Sequence, residues 1–203
     1  MSRVRMTKAA LAGRRRDFAT YAKALPSLEL KRQQLMLDLA AEKDRAARLE
    51  EIAQALRLRA RAIPFAADPD VRLQDRLRIA SVERTSEPHL GILLPRIAAI
   101  AWAPAEGLAT LPPWVAAALA VTRELAETKL HQAVAQQRVA LVEEALRKAV
   151  QRINLLQQVY MPEARADIAR IANFLADGER MAVARTKLLV SRRAARSTVT
   201  GAA

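Results

Sequence analysis

The chain has 203 residues and a formal net charge of +13, contains no cysteine, and is only 3% aromatic with 5 glycines. The missing cysteines exclude a disulfide framework, a thiolate metal site and a cysteine nucleophile. Scarce aromatic residues and glycines, in a chain rich in Ala, Leu, Arg, Glu and Gln, argue against a large compact core and are typical of long helices or coiled coils.

The positive charge is concentrated toward both ends of the chain. The net charge is +8 over residues 1–63, −1 over residues 64–112 and +6 over residues 113–203. This distribution indicates an acidic or anionic partner at the terminal end, while the solvated surface of an arginine-rich helix remains the simpler alternative. No apolar run approaches the roughly 18 residues that span a bilayer, and none follows the charged start, so we expect a soluble protein without a signal peptide.

The first predicted element is a long coiled-coil helix over residues 1–63. Apolar side chains recur in alternating steps of three and four from Phe18 to Ile63, and only Arg32 and Glu42 interrupt this seam. A sustained heptad repeat with charged flanks is typical of a helix that lies along another long helix.

Two prolines affect this helix differently. Pro26 lies beside the seam, so we expect a kink near Leu25 and not a helix end. Pro64 should end the helix, because the residue before a proline is pushed out of helical geometry.

Residues 64–112 form a middle insert that holds most of the prolines. Residues 71–85 fit either a helix or a strand. Alternation at Leu77 and Ile79, followed by the apolar run after Gly91, is compatible with a short β-hairpin.

A second coiled-coil helix is predicted over residues 113–193, with a proline in its first turn and a flexible tail over residues 194–203. Its apolar seam also runs in steps of three and four. Pro162 and a stutter of two four-residue steps interrupt the seam, which predicts a bend and a local unwinding of the supercoil. The seam positions are Val139, Val142, Leu146, Ala149, Ile153, Leu156 and Tyr160, and then Ala164, Ile168, Ile171 and Leu175.

These elements predict a mainly α fold in which the two long helices pair as an antiparallel coiled coil, with a small middle insert. The four segments make one functional unit, and the basic termini lie together at one end. An intermolecular coiled coil is the alternative. The seam residues expected to hold the pair together are Leu28, Leu35, Leu39, Leu49, Leu56, Leu146, Ile153, Leu156 and Ile171.

The sequence contains no pattern that indicates catalysis. It has no glycine-rich phosphate loop, and its two histidines, His89 and His131, have no ligand-spaced partners. Glu143 and Glu144 lie on a polar helix face among basic residues, which favours solvated ion pairs over acid–base chemistry. We therefore predict a non-enzyme without cofactor or metal. Nucleic-acid binding is disfavoured because aromatic side chains for base stacking are scarce.

Several short motifs resemble the D subunit of the V-type and A-type rotary ATPases, which forms the central stalk or rotor shaft. The family carries a pattern like RRVNALE followed by Ile-Pro, a further helix ending in Glu-Arg and a basic stretch. The corresponding residues here are QRINLLQ at 151–157, Met161-Pro162, Glu179-Arg180 and TKL at 186–188, with weaker matches in GILLP at 91–95 and KRQQL at 31–35. Pro26, the proline-containing segment 104–113 and Gln151 depart from the pattern and indicate a divergent, bacterial-looking member.

The resemblance implies a central-stalk protein that couples ATP synthesis or hydrolysis to ion translocation by rotation. It implies contacts with the hexamer of catalytic A and non-catalytic B subunits, with the F subunit of the central stalk and with the protein that caps the membrane ring. It further implies a cytoplasmic location peripheral to the membrane. The residues expected to face the hexamer are Arg14, Arg15, Arg16, Arg185, Lys187, Arg192 and Arg193. A stalk-like coiled coil of a type III secretion ATPase and a basic nucleic-acid-associated coiled coil remain alternatives.

Overall fold

The computed structural model describes residues 5–63, 77–104 and 113–200, without the side chains of residue 113 and residues 193–200. It confirms a mainly α fold with one antiparallel β-hairpin. The elements are α1 (Lys8–Ala62), β1 (Ile79–His89), β2 (Ile92–Trp102), α2 (Pro113–Leu155), a π-turn (Leu156–Tyr160) and α3 (Met161–Thr200).

The chain divides into two compact units. The terminal unit consists of Met1–Glu29 and Gln151–Ala203, and the central unit is Leu30–Val150. The terminal unit therefore combines the start of α1 with the π-turn and α3. The central unit combines the rest of α1 with the hairpin and nearly all of α2.

In the terminal unit the two helical segments run antiparallel. Lys8 Nζ lies 3.5 Å from Glu179 Oε1, and Gln157 Nε2 donates a hydrogen bond of 3.1 Å to Glu29 Oε1. Residues later in α1 therefore contact residues earlier in the C-terminal segment, as antiparallel pairing requires. Between these two contacts, the rings of Tyr21 and Tyr160 stack with their centroids 5.7 Å apart.

In the central unit α1 and α2 are also antiparallel. Lys43 Nζ lies 2.8 Å from Glu143 Oε1, and Arg59 Nη1 lies 4.0 Å from Glu124 Oε2. This arrangement is the antiparallel pairing that the two heptad seams predict. Of the two glutamates predicted to form solvated ion pairs, Glu143 pairs with Lys43 across the helices, and Glu144 pairs with Lys148 within α2.

Most of the predicted seam positions are buried or half-buried, but Tyr160 is 44% exposed. Every seam position of α1 from Phe18 to Ile63 is buried or half-buried, including Glu42. In the central unit, Leu35 and Val142 are fully buried in one apolar cluster with Leu94 of β2. Among the nine named seam residues, Leu35, Leu56, Ile153 and Ile171 are buried, and Leu28, Leu39, Leu49, Leu146 and Leu156 are half-buried.

The two prolines inside the helices are accommodated differently. Pro26 lies within α1, which continues through it and does not end there. Before Pro162 the helix widens into the π-turn, where the N–H of Met161 donates to the carbonyl oxygen of Leu156, five residues back. A proline offers no N–H and its ring crowds the carbonyl four residues earlier, so one wider turn relieves that crowding. The predicted stutter and the π-turn lie in the same stretch.

The β-hairpin predicted within the middle insert is confirmed, and each of its strands has 11 residues. Its two-residue turn has positive φ at both Leu90 (47°) and Gly91 (80°), as in the type I′ turns that match the twist of paired strands. Register shifts leave Ala80 and Ala98 as extra residues, which increases the local twist. Of the ambiguous stretch 71–85, residues 79–85 are strand, and residues 71–76 lie outside the described residues.

The C-terminal helical segment begins where the sequence predicts but ends later than predicted. α2 begins at Pro113, a position where a missing N–H costs no helical hydrogen bond. α3 continues to Thr200, seven residues beyond the end expected at Arg193, because no helix-breaking residue occurs before Gly201. The segments 64–76 and 105–112 of the predicted insert, and residues 201–203 of the predicted tail, lie outside the described residues.

The central apolar cluster leads to a stability prediction. Leu35 is fully buried, whereas Leu37 on the same helix is 72% exposed. Leu35→Ala should lower the free energy of unfolding of the central unit by about 2–4 kcal/mol, because it removes buried methyl groups and leaves a cavity. Leu37→Ala, the matched control, should change it by less than about 0.5 kcal/mol. Urea unfolding followed by circular dichroism measures both, and equal effects would place Leu35 outside the core.

Candidate functional site

A buried arginine on α2 connects all three elements of the central unit. Arg138 is 7% exposed. Its Nε and Nη2 donate to Glu42 Oε1 on α1 at 2.9 and 2.6 Å. Its Nη1 donates to Glu87 Oε1 on β1 at 2.8 Å and to the carbonyl oxygen of Pro95 on β2 at 3.3 Å. We call Arg138, Glu42 and Glu87 the arginine clamp.

The electrostatics of the clamp favour the charged forms of Glu87 and Arg138. The hydrogen bond from Arg138, followed by its positive charge, lowers the pKa of Glu87, against the opposing effect of burial. The hydrogen bond to Glu42 is the largest cause that raises the pKa of Arg138. The second carboxylate oxygen of Glu42 is buried without a hydrogen-bond partner. The clamp therefore consists of directional hydrogen bonds between charged groups, but one of its buried oxygens accepts no hydrogen bond.

Two further polar contacts fasten the hairpin near its ends. Beside the turn, His89 Nε2 and Asp38 Oδ2 of α1 are 2.8 Å apart. At the open end, Trp102 Nε1 donates to Glu127 Oε1 of α2 at 2.7 Å, and the guanidinium of Arg123 lies 5.1 Å from the Trp102 ring centroid. Together with the clamp, these contacts attach both strands of the hairpin to the helices at three levels.

The sequence pointed to only one part of this site. Glu42 appeared as an acidic interruption of an apolar seam, and a buried carboxylate requires a cationic partner. Arg138 carried no such signal, because it lies one residue before the predicted seam position Val139 and resembles any other arginine of a polar helix face. The contribution of Glu87 depends on strand pairing that the sequence left open.

The predicted contact residues at the start of α1 have different environments. Arg14 is half-buried, and its Nη2 lies 3.2 Å from Oδ2 of the buried Asp167, in an ion pair without hydrogen-bond geometry. Arg15 and Arg16 are exposed, and Arg16 Nε donates to the backbone carbonyl of Ala12 in its own helix, at 3.4 Å. Arg15 and Arg16 are therefore accessible to a partner, whereas Arg14 joins α1 to α3 within the terminal unit.

The other predicted contact residues lie on α3. Arg185, Lys187 and Arg192 are exposed, and the side chain of Arg193 lies outside the described residues. Exposed apolar residues accompany them, at 56–66% exposure. These are Met181, Val183, Leu188, Leu189 and Val190, which together with the three cations we call the α3 end surface. A mixed apolar and basic surface of this kind is typical of a site that contacts another macromolecule.

No group of three or more His, Cys, Asp or Glu side chains in residues 5–63, 77–104 and 113–200 is arranged to hold a metal ion. Within the same residues no helix is long and apolar enough to cross a bilayer.

The fold and its exposed surfaces indicate the general class of protein. Paired antiparallel helices hold a hairpin by specific polar contacts and carry an exposed apolar and basic surface on one helix. These features are typical of a helical scaffold protein that works through contacts with other proteins.

The comparisons give the family. The family model of the ATP synthase D subunit matches residues 10–191, so the chain belongs to this family. Proteins named as the D subunit of V-type ATP synthase are similar over most of both chains. The one from Borreliella burgdorferi is 23% identical over 200 residues, covering 94% of this chain and 95% of the relative. The one from Chlamydia pneumoniae is 29% identical over 181 residues, covering 86% and 85%.

The clamp predicts a characteristic pattern of mutational effects. Arg138→Met should lower the free energy of unfolding of the central unit by about 3–5 kcal/mol, because it leaves Glu42 buried without a counter-charge. Adding Glu42→Leu should recover most of that loss, since an apolar pair replaces the buried ion pair. Urea unfolding of the single and double variants measures the coupling. Additive effects would mean that the two side chains do not interact.

Proposed function

We propose that the chain is the central-stalk, rotor-shaft component of a V/A-type rotary ATPase. In this role it couples ATP synthesis or hydrolysis in the hexamer of catalytic A and non-catalytic B subunits to ion translocation by rotation. The chain itself is non-catalytic and works in the cytoplasm, peripheral to the membrane. The observation that carries the proposal is the family match over residues 10–191, which includes nearly all of the paired helices.

The terminal unit is the part that we assign to the hexamer. A shaft that turns inside a ring of proteins needs a surface that the ring can contact without a permanent bond. The α3 end surface supports this assignment, because its apolar side chains are exposed and are interspersed with Arg185, Lys187 and Arg192. Arg15 and Arg16 on α1 add exposed positive charge to the same unit.

The central unit is the part that we assign to the F subunit of the stalk and to the protein that caps the membrane ring. The hairpin supports this assignment, since almost every residue of β1 is exposed. The arginine clamp and the contacts of His89 and Trp102 keep this exposed ribbon in a fixed register on the helices. A stalk must transmit torque to its neighbours through such fixed surfaces, because a mobile ribbon would absorb the rotation.

Transmission of torque also requires that the helices resist slipping along each other. Apolar heptad seams resist separation but tolerate a shift by a whole repeat. The cross-helix ion pairs Lys43–Glu143 and Arg138–Glu42 are specific to one register. These ion pairs support a shaft in which the two helices of the central unit rotate together without sliding along each other.

Purification of the tagged full-length chain from its native cells tests the proposal. The A and B subunits should be recovered with it under gentle conditions. Recovery of a secretion ATPase, or of nucleic acid with steep salt dependence, would contradict the proposal and support one of the alternatives.

Charge variants sharpen the same experiment. Arg185→Gln/Lys187→Gln/Arg192→Gln should weaken binding to an A/B hexamer roughly tenfold at low salt, because three exposed ionic contacts are lost. Arg48→Gln/Arg61→Gln/Arg84→Gln is the charge-matched control, since all three side chains are exposed in the central unit. Equal loss in both variants would mean that net charge, and not the α3 end surface, determines binding.

A further inference from the structure

A small cleft opens between α1, β2 and α2 of the central unit, next to the arginine clamp. Its volume is about 180 Å³. The polar side chains that line it come from three different elements. They are Arg45 of α1, Arg96 of β2, and His131 and Arg138 of α2, with the apolar floor formed partly by Ile97 and Val134.

Two of these cations form no ion pair with any described residue. Arg45 and Arg96 are exposed, and both lower the pKa of Glu87 less than Arg138 does. Arg138 by contrast is bound directly by two carboxylates. The three arginines and the two clamp glutamates therefore leave the cleft with one surplus positive charge, before His131 is considered.

The size and chemistry of the cleft select a class of ligand. The volume of about 180 Å³ is enough for one tetrahedral oxyanion with its nearest waters. Guanidinium groups offer parallel N–H donors that match phosphate oxygens in pairs, and two of them on separate walls can hold one anion from two sides.

We propose that this cleft binds a single phosphate group, held by Arg45 from α1 and Arg96 from β2. The phosphate bridges the helix and the strand, so it strengthens the attachment of the hairpin to α1. The His131 ring borders the same space and offers a further donor. The phosphate group belongs either to free inorganic phosphate or to the terminal phosphate of a nucleotide whose remainder stays in solvent. The inference depends only on the central unit and stands independently of the proposed rotor function.

Titration of the full-length chain with inorganic phosphate at constant ionic strength tests the proposal, with chloride as the reference anion. Phosphate should raise the Tm of the wild type in a saturable manner, because it binds only the folded cleft. Isotopic labelling for NMR should show changes at the Nε–Hε signals of Arg45 and Arg96 before those of other arginines. A Tm that depends on ionic strength alone, with no selective change at these two signals, would overturn the proposal.

Matched variants separate the cleft from the general positive charge of the chain. Arg45→Gln/Arg96→Gln should raise the Kd for phosphate about tenfold or more, since it removes the charge-assisted hydrogen bonds from both walls. Arg48→Gln/Arg61→Gln removes the same charge from exposed positions on α1 outside the cleft and should leave the Kd nearly unchanged. Equal losses in both variants would place the binding elsewhere.

A second titration with ADP identifies the source of the phosphate. Competition between ADP and inorganic phosphate at the same two arginine signals would support a nucleotide source. Binding of inorganic phosphate without competition by ADP would support the free anion. Binding of an acidic peptide at the cleft, with no response to either phosphate ligand, would contradict the proposal, because the cleft would then be a protein-docking site.

Discussion

The buried charge of Arg138 is the constraint on which the central unit depends. Two long heptad seams can pair in several registers that differ by one repeat, because leucine and alanine recur along both helices. A buried guanidinium does not tolerate such a shift, since it needs the carboxylate of Glu42 within hydrogen-bond distance. The same group also binds Glu87 and the carbonyl of Pro95, so one side chain fixes the helix register and the position of the hairpin. Because replacing a buried ion pair by apolar side chains is often neutral for stability, we expect the clamp to contribute more to this specificity than to net stability.

The sequence predicted those features that depend on periodicity. The steps of three and four gave both long helices, their antiparallel pairing and the buried side of each, and Pro113 gave the start of α2. Features that depend on one pair of side chains or on one backbone turn are harder to predict from the sequence. The π-turn before Pro162 appeared only as a stutter and an expected bend, because heptad counting detects a change of phase but not how the backbone absorbs it.

The predicted contact residues show the same limit of sequence reasoning. A basic residue on a helix looks identical whether it faces a partner or an internal carboxylate. Arg14 pairs with the buried Asp167, whereas Arg15 and Arg16, one and two positions further along, are exposed. The α3 end surface was predicted only through its cations, while the apolar side chains between them became a candidate contact surface once their exposure was known. Nothing in the sequence indicated the cleft beside the clamp, because Arg45 and Arg96 are 51 positions apart and only the fold brings them to the same cleft.

The central claim is that this chain turns while the A/B hexamer hydrolyses ATP, and a single-molecule rotation measurement tests it most directly. The chain contains no cysteine, so Ser81→Cys at an exposed position of β1 gives this chain one attachment point for a bead, in a complex whose other subunits are freed of reactive cysteines. With the hexamer fixed to a surface, the bead should rotate stepwise in one direction when ATP is added and should stop when ATP is removed. Hydrolysis of ATP with a bead that stays stationary, or that only fluctuates without direction, would contradict the rotor assignment.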